Sequence, residues 1–275
     1  MTGLSHGAEA AARPPAEGAE AFALAEARLA LLVAELPEDL SARMLTLADG
    51  DRLTAFRQRI VATLDDPDHY RMAGEVGNFI ADHLGARGLT AGIFQDGELV
   101  AYGALGIPGP EDHNRGRDLP LPAEDLPLVA HMSSAMVDPA MRGRGLHHRL
   151  IDWRIAVSDS IGRRHLLTTV SPRNHRSWGH LAGHGLHPRR LIRVGEGLVR
   201  LLLHRDAAEH AQMDRATALL VPVDELAARG DLFDGGNRVW GRVPEGGDPA
   251  TATRWYALVG RAIQTAPGRP QTAAA

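Results

Sequence analysis

Val137-Asp-Pro-Ala-Met-Arg-Gly-Arg-Gly-Leu-His-His-Arg-Leu150, VDPAMRGRGLHHRL, joins an apolar run that ends at Val137 to an amphipathic run that begins at Leu146. Two glycines and three arginines in such a turn suit an anion. Glycine lets the backbone approach a ligand closely, and the first N–H groups of a helix have no acceptor within it. The same residues also make an ordinary surface turn, and the stretch alone leaves both readings open.

The flanking sequence narrows the choice. Leu128–Val137 reads as a strand, while Leu146, Leu150, Trp153, Val157 and Ile161 fall on one face of a helix. A β-rich run, His165–Ser171, follows and is stopped by Pro172; a helix over Arg173–His184 then ends at Gly185 in a left-handed cap. Upstream, Leu89–Phe94 and Glu98–Leu105 are joined at Asp96-Gly97, a hairpin signal because both residues tolerate positive φ. Before that hairpin the spacing predicts a strand around Arg43–Leu47, a turn at Asp49-Gly50, a helix through Leu64 and a second helix over Tyr70–Leu84. Gly106–Asp125 carries four prolines and reads as a long loop of the kind that forms lids or binding segments. Leu191–Val194 and Leu198–His204 read as two last strands. The order β-α-α-β-β-loop-β-turn-α-β-α-β-β calls for a mixed α/β sheet with helices packed on it.

Residues outside this block divide into a mobile tail over 1–19, an added amphipathic helix over 20–40 (Phe22, Leu29, Leu32, Val33 and Leu36, stopped by Pro37), and a C-terminal extension over 207–275. The extension reads as a helix over Ala207–Leu219, a glycine-rich turn at Asp234–Asn237 and a helix over Thr253–Ile263.

Composition removes several functions. Thirty basic residues against 34 acidic ones give no bulk charge for wrapping nucleic acid or an anionic membrane. The absence of cysteine excludes thiolate nucleophiles, disulfides and cysteine metal sites. No secretory signal pattern opens the chain and no run of about 18 apolar residues follows, so a cytoplasmic location is expected. Fourteen histidines point to imidazole for acid–base chemistry near neutral pH.

A strand, V-D-P, R-x-x-G-x, an amphipathic helix, a second strand and N-x-x-S, in this order, resemble the GNAT superfamily of acyl-CoA-dependent N-acyltransferases. The resemblance covers 41–206. It implies a central mixed β-sheet flanked by helices whose fourth and fifth strands diverge to admit pantetheine, with acetyl-CoA or another acyl-CoA as co-substrate. It also implies that Arg142, Gly143, Arg144, Gly145 and Leu146 hold the pyrophosphate; His147 stands where the family usually has glycine or alanine. Asn174 and Ser177 match the family's pantetheine-binding pair, although an asparagine placed so is also a helix start. Ala135, Met136 and Val137 would supply backbone N–H groups to the pantetheine and the oxyanion.

The family's base, usually a glutamate on the fourth strand, falls by count at His131, and its acid, usually a tyrosine, falls at Leu181. His180 and His184 flank that leucine and are the replacement acids. Their four-residue spacing also suits zinc with His175 or His187, but no H-E-x-x-H glutamate accompanies them and no metal is expected. Asp112, His113, Glu124 and Asp125 are reserve acid–base candidates, and the acidic loop around them would attract a cationic amine. The expected reaction is direct transfer of an acyl group, most simply acetyl, to an amine of a small molecule or peptide. The missing tyrosine and glutamate leave a second reading, a non-catalytic CoA-binding module. The flanking extensions would shape a substrate site, a homodimer interface, or both.

Overall fold

A computed structural model describes residues 15–70, 79–85, 87–195 and 197–265. Seven strands form one sheet in the order β1-β2-β3-β4-β5-β7-β6: β1 Ser41–Met44, β2 Gly88–Gln95, β3 Glu98–Gly106, β4 Val129–Val137, β5 His165–Val170, β6 His187–Val194 and β7 Leu198–Asp206. All neighbours are antiparallel except β4 and β5. The hairpin between β2 and β3 turns as its sequence demands, with φ of 50° at Asp96 and 83° at Gly97.

Helices α1 Gly18–Ala27, α2 Leu29–Ala34, α5 Leu146–Ser160 and α6 His175–Gly183 share one apolar core with the sheet. The Trp153 indole, 1 % exposed, donates to Ala25 O across the α5–α1 contact. A second core, built on Phe56, Phe79, Phe94 and Tyr102, packs α3 Gly50–Val61 and α4 Phe79–Leu84 on the sheet. Among the described residues no helix is long and apolar enough to cross a membrane.

Several expectations are corrected. Asp49-Gly50 is no free turn: Gly50 is helical (φ −54°) and opens α3. Asp49 accepts from the Thr46 N–H and from the Arg43 guanidinium, which holds its carboxyl down at about 2. That helix stops at Val61 rather than Leu64. The helix expected over Tyr70–Leu84 is seen only as α4; Tyr70 is extended, and 71–78 lie outside the described residues. The added helix is broken at Arg28 into α1 and α2. The end of the expected tail is packed: the Ala16 N–H donates to Ile161 O, and Glu17 receives the buried Arg163 guanidinium.

Neither helix expected in the extension is found: Thr253–Ile263 is mostly strand, and Ala207–Leu219 holds a three-residue strand and a 3-10 turn. β8 Ala211–Met213, β9 Leu219–Pro222, β10 Asn237–Pro244 and β11 Trp255–Gln264 form a small antiparallel sheet, with β11 pairing the other three. Along β11 Ala257 and Val259 are buried while Tyr256 and Leu258 are less so, the period of two that a half-covered strand requires. In 207–219 the alanine-rich composition favours helix, but pairing of Ala211–Met213 with β11 overrides it, and Asp214 caps a 3-10 turn at the Ala216 N–H.

Candidate active site

Parallel pairing of β4 with β5 stops after three residue pairs, Val129–His165, Ala130–Leu166 and His131–Leu167. Beyond them the strands part. On its other edge β4 pairs Gly103 with Ala135 but Leu105 with Met132, so Ser133 and Ser134 together oppose one residue of β3. This is a β-bulge, which bends a strand and takes backbone groups out of the ladder.

A cavity of about 230 Å3 fills the gap, walled by Met132 to Ala135 of β4, Thr168 to Val170 of β5, Asn174, Ser177 and Leu181 beside α6, and His147 and Arg154 of α5. Of the three expected backbone donors Ala135 lines it, whereas Met136 and Val137 do not: Met136 is packed in the core beneath α3. The bulge therefore moves the open stretch of β4 toward Ser133 and Ser134.

Ser134, 5 % exposed, lies 2.6 Å from the hydroxyls of both Tyr70 and Tyr102, and Arg57 donates to the Tyr70 hydroxyl. Burial lifts the Tyr102 phenol well above its ordinary range. Removing the shared hydroxyl leaves the buried Tyr102 O–H without its partner. Ser134→Ala is expected to cost about 1–3 kcal/mol, read as a lowered urea midpoint with an unchanged m-value.

The turn that opens α5 has left-handed φ at Gly143 (81°) and Gly145 (75°); of residues 142–147 only His147 lines the cavity. Gly145 caps the helix and leaves the N–H groups of Leu146, His147 and His148 at its first turn. The arginines divide. Arg144 is held by both carboxylate oxygens of Asp39, and Arg149 donates to Arg144 O and Glu35 O, so both side chains bind the N-terminal segment. The Arg144 side chain is thus engaged with the N-terminal segment, and the exposed Arg142 and the backbone remain to meet an anion.

The His147 ring leans off the turn against α6, its Nδ1 3.0 Å from His180 Nδ1. Asn174 is the N-cap of α6: its side chain accepts from the Ser177 N–H and donates to His69 O. Both Asn174 and Ser177 line the cavity.

A second cavity of about 450 Å3 adjoins the first, and Arg115, Met132, Ser133, Thr168 and Thr169 line both. His131 lines the second, with His83, Asp112 and His113. His131 Nε2 accepts from the Arg115 N–H, so its lone pair is engaged and Nδ1 carries the proton. Burial and the Arg115 charge push its pKa down to about 3. Asp112 is tied to Arg87 and to the Gly109 N–H. Asp125 instead pairs with His165, and neither it nor Glu124 lines either cavity.

His180 and His184 also line neither cavity. His184 joins His148 (2.9 Å) and Asp152 (2.8 Å) at the outer end of the α5–α6 contact, and burial pushes His180 down to about 4. Among the described residues no group of three His, Cys, Asp or Glu side chains is arranged to hold a metal ion. Sequence reading missed Tyr70, Ser134 and Arg154, three polar side chains that meet at the first cavity from separate elements.

No family model and no curated protein matches the chain. Solved structures do. A GCN5-related N-acetyltransferase from Kribbella flavida is 21% identical, with 62% of this chain and 99% of that one covered and a TM-score of 0.45. A GNAT-family acetyltransferase from Streptococcus pneumoniae is 17% identical (61% and 99% covered, TM-score 0.44). A protein from Salmonella typhimurium, solved with its cofactor acetyl-CoA, is also 17% identical (65% and 99% covered, TM-score 0.43). In the chain itself, the mixed sheet flanked by helices, the parting of β4 from β5 and the glycine turn opening α5 match the fold that the sequence resemblance implies, with segments added at both ends.

Proposed function

We propose that the protein is an acyl-CoA-dependent N-acyltransferase that moves an acyl group, in the simplest case acetyl, to an amine of a small molecule or peptide. The observation that carries this reading is the cleft between β4 and β5, which opens past a bulge and is lined by His147 in the first turn of a glycine-capped helix. A long thioester with an anionic end suits such a cleft. The pyrophosphate meets the first N–H groups of α5, where the helix dipole favours negative charge, and the pantetheine lies along Ala135 and Asn174. The acceptor enters through the second cavity, which meets the first at Met132 and Ser133.

The amine attacks the thioester carbon; the new C–N bond forms, the C–S bond breaks, and the proton lost by the amine is balanced by one gained at the CoA sulfur. Backbone N–H groups freed by the bulge at Ser133 and Ser134 face the developing oxyanion. His131 borders the acceptor, but with Nε2 engaged it offers only an Nδ1–H donor, which suits an acceptor atom of the substrate other than the attacking nitrogen. A conjugate acid near 3 is also far too strong to draw a proton from an ammonium group, so the acceptor enters as the free amine.

Leu181 replaces the family's phenol on α6, and the Tyr70 phenol, hydrogen-bonded to Ser134, lines the same cavity. We assign the departing thiolate's proton to Tyr70, and the proton shed by the new amide nitrogen restores the phenol. Tyr70→Phe is expected to lower kcat about 30-fold with the KM for acyl-CoA changed less than threefold, because the ring stays and only the proton goes.

Calorimetric titration with acetyl-CoA, followed by a thiol-release assay over a panel of amines, tests the whole reading. Micromolar binding with amine-dependent thiol release supports it. Binding without release from any amine would leave the non-catalytic CoA-binding module, and no binding to any acyl-CoA would overturn both.

A further inference from the structure

Arg154 sits on α5 eight residues beyond Leu146, and its side chain turns back toward the start of the helix. It is 2 % exposed and lines the first cavity. Its Nε donates to Leu150 O, one turn back, while Nη2 is buried with no hydrogen-bond partner. Among the described residues no carboxylate lies within ion-pairing distance; the polar side chains around it are neutral ones, Tyr102 near the bulge and the His147 imidazole. Burial lowers its pKa only to about 9, so the guanidinium stays charged at neutral pH. An uncompensated charge in such a place costs several kcal/mol.

Its height in the cleft is set by Gly103 of β3. A Cβ there would come within 3.2 Å of Arg154 Nε, and Gly103 pairs with Ala135, next to the bulge. The guanidinium therefore lies at the bulge, beside the stretch of β4 where the thioester is attacked, with the His147 ring as its neighbour.

We propose that Arg154 binds a carboxylate carried on the acyl group, so that the preferred donor is the CoA thioester of a short dicarboxylic acid rather than acetyl-CoA. This inference rests on the acyltransferase reading above. A permanent buried cation needs an anion in the resting complex. A transient oxyanion would leave it uncompensated for most of the cycle, and the bulge already supplies neutral donors for that species. The transfer is unchanged in its bonds: C–N forms, C–S breaks, the proton passes to sulfur, and the distal carboxylate remains free on the amide product.

The test compares succinyl-CoA with butyryl-CoA, which has a similar chain and no charge, by calorimetry on the wild-type protein and on Arg154→Met. At least tenfold tighter binding of succinyl-CoA to the wild type is expected, with the difference lost in the variant. Equal affinities in the wild type, or a preference that survives Arg154→Met, would overturn the inference while leaving the acyltransferase reading intact. If the variant does not fold, the wild-type comparison decides alone. Failure of succinyl-, butyryl- and acetyl-CoA alike to bind would instead overturn the parent reading.

Discussion

Gly145→Glu is expected to lower acyl-CoA affinity by about a thousandfold. A new carboxylate about 5 Å from a phosphate charge is opposed by roughly 3 kcal/mol at an effective dielectric of 20, and a pyrophosphate presents two such charges. The backbone adds to this, because φ is 75° at Gly145 and side chains carry strain of about 1–2 kcal/mol in that region. A Cβ at this position would also meet the Arg149 guanidinium, which would have to leave the Arg144 carbonyl. Gly145→Ala separates the causes, since it brings the strain and displaces Arg149 without the charge. Calorimetry should find its affinity within about tenfold of the wild type, with a lowered Tm. Equal losses in both variants would mean that turn geometry, and not an anion at the helix start, governs binding.

How much of this was legible in the sequence depends on how far apart the partners lie. The hairpin at Asp96-Gly97, the α5 turn and the Gly185 cap are set by residues within a few positions of one another, and each is found where its local chemistry puts it. Asn174 is local too, and the helix-start alternative raised for it is the contact observed. The partners of the Arg144 and Arg149 side chains, Asp39 and Glu35, lie 105 and 114 residues away on a segment with no visible link to the motif. Tyr70 and Ser134 are 64 residues apart, and no spacing rule connects them. Nothing local marks Arg154, which follows Trp153 on α5; the contact with Gly103 of β3 does. In the extension, alanine-rich segments read as helix because helix propensity is local and strand pairing is not.

The protein is expected to unfold cooperatively in mild acid, between about pH 5 and pH 4, well before most carboxylates are protonated. His131, His147 and His204 are each pushed down to about 3, in each case first by burial and then by a neighbouring arginine: Arg115, Arg154 and Arg189 respectively. An unfolded histidine binds its proton near 6.5. The folded form of these three takes up protons only near 3, so the stability due to their neutral form is complete above 6.5 and is lost as pH falls from there toward 3. Each proton bound only by the unfolded chain costs 1.36 kcal/mol per pH unit, so three give a slope of about 4 kcal/mol per unit below pH 6. That slope removes about 6 kcal/mol by pH 5, comparable to the whole stability of an ordinary domain. Lost near-ultraviolet circular dichroism and red-shifted emission from the buried Trp153 and Trp178 would report the transition. His204→Leu should lower the slope by about a third, because it removes one of the protons while its neighbours His165 and Arg189 stay in place. A Tm that stays flat from pH 7 to 4.5 would contradict the premise that these imidazoles are held neutral. It would also reopen a charged histidine beside the cleft as the proton source now assigned to Tyr70.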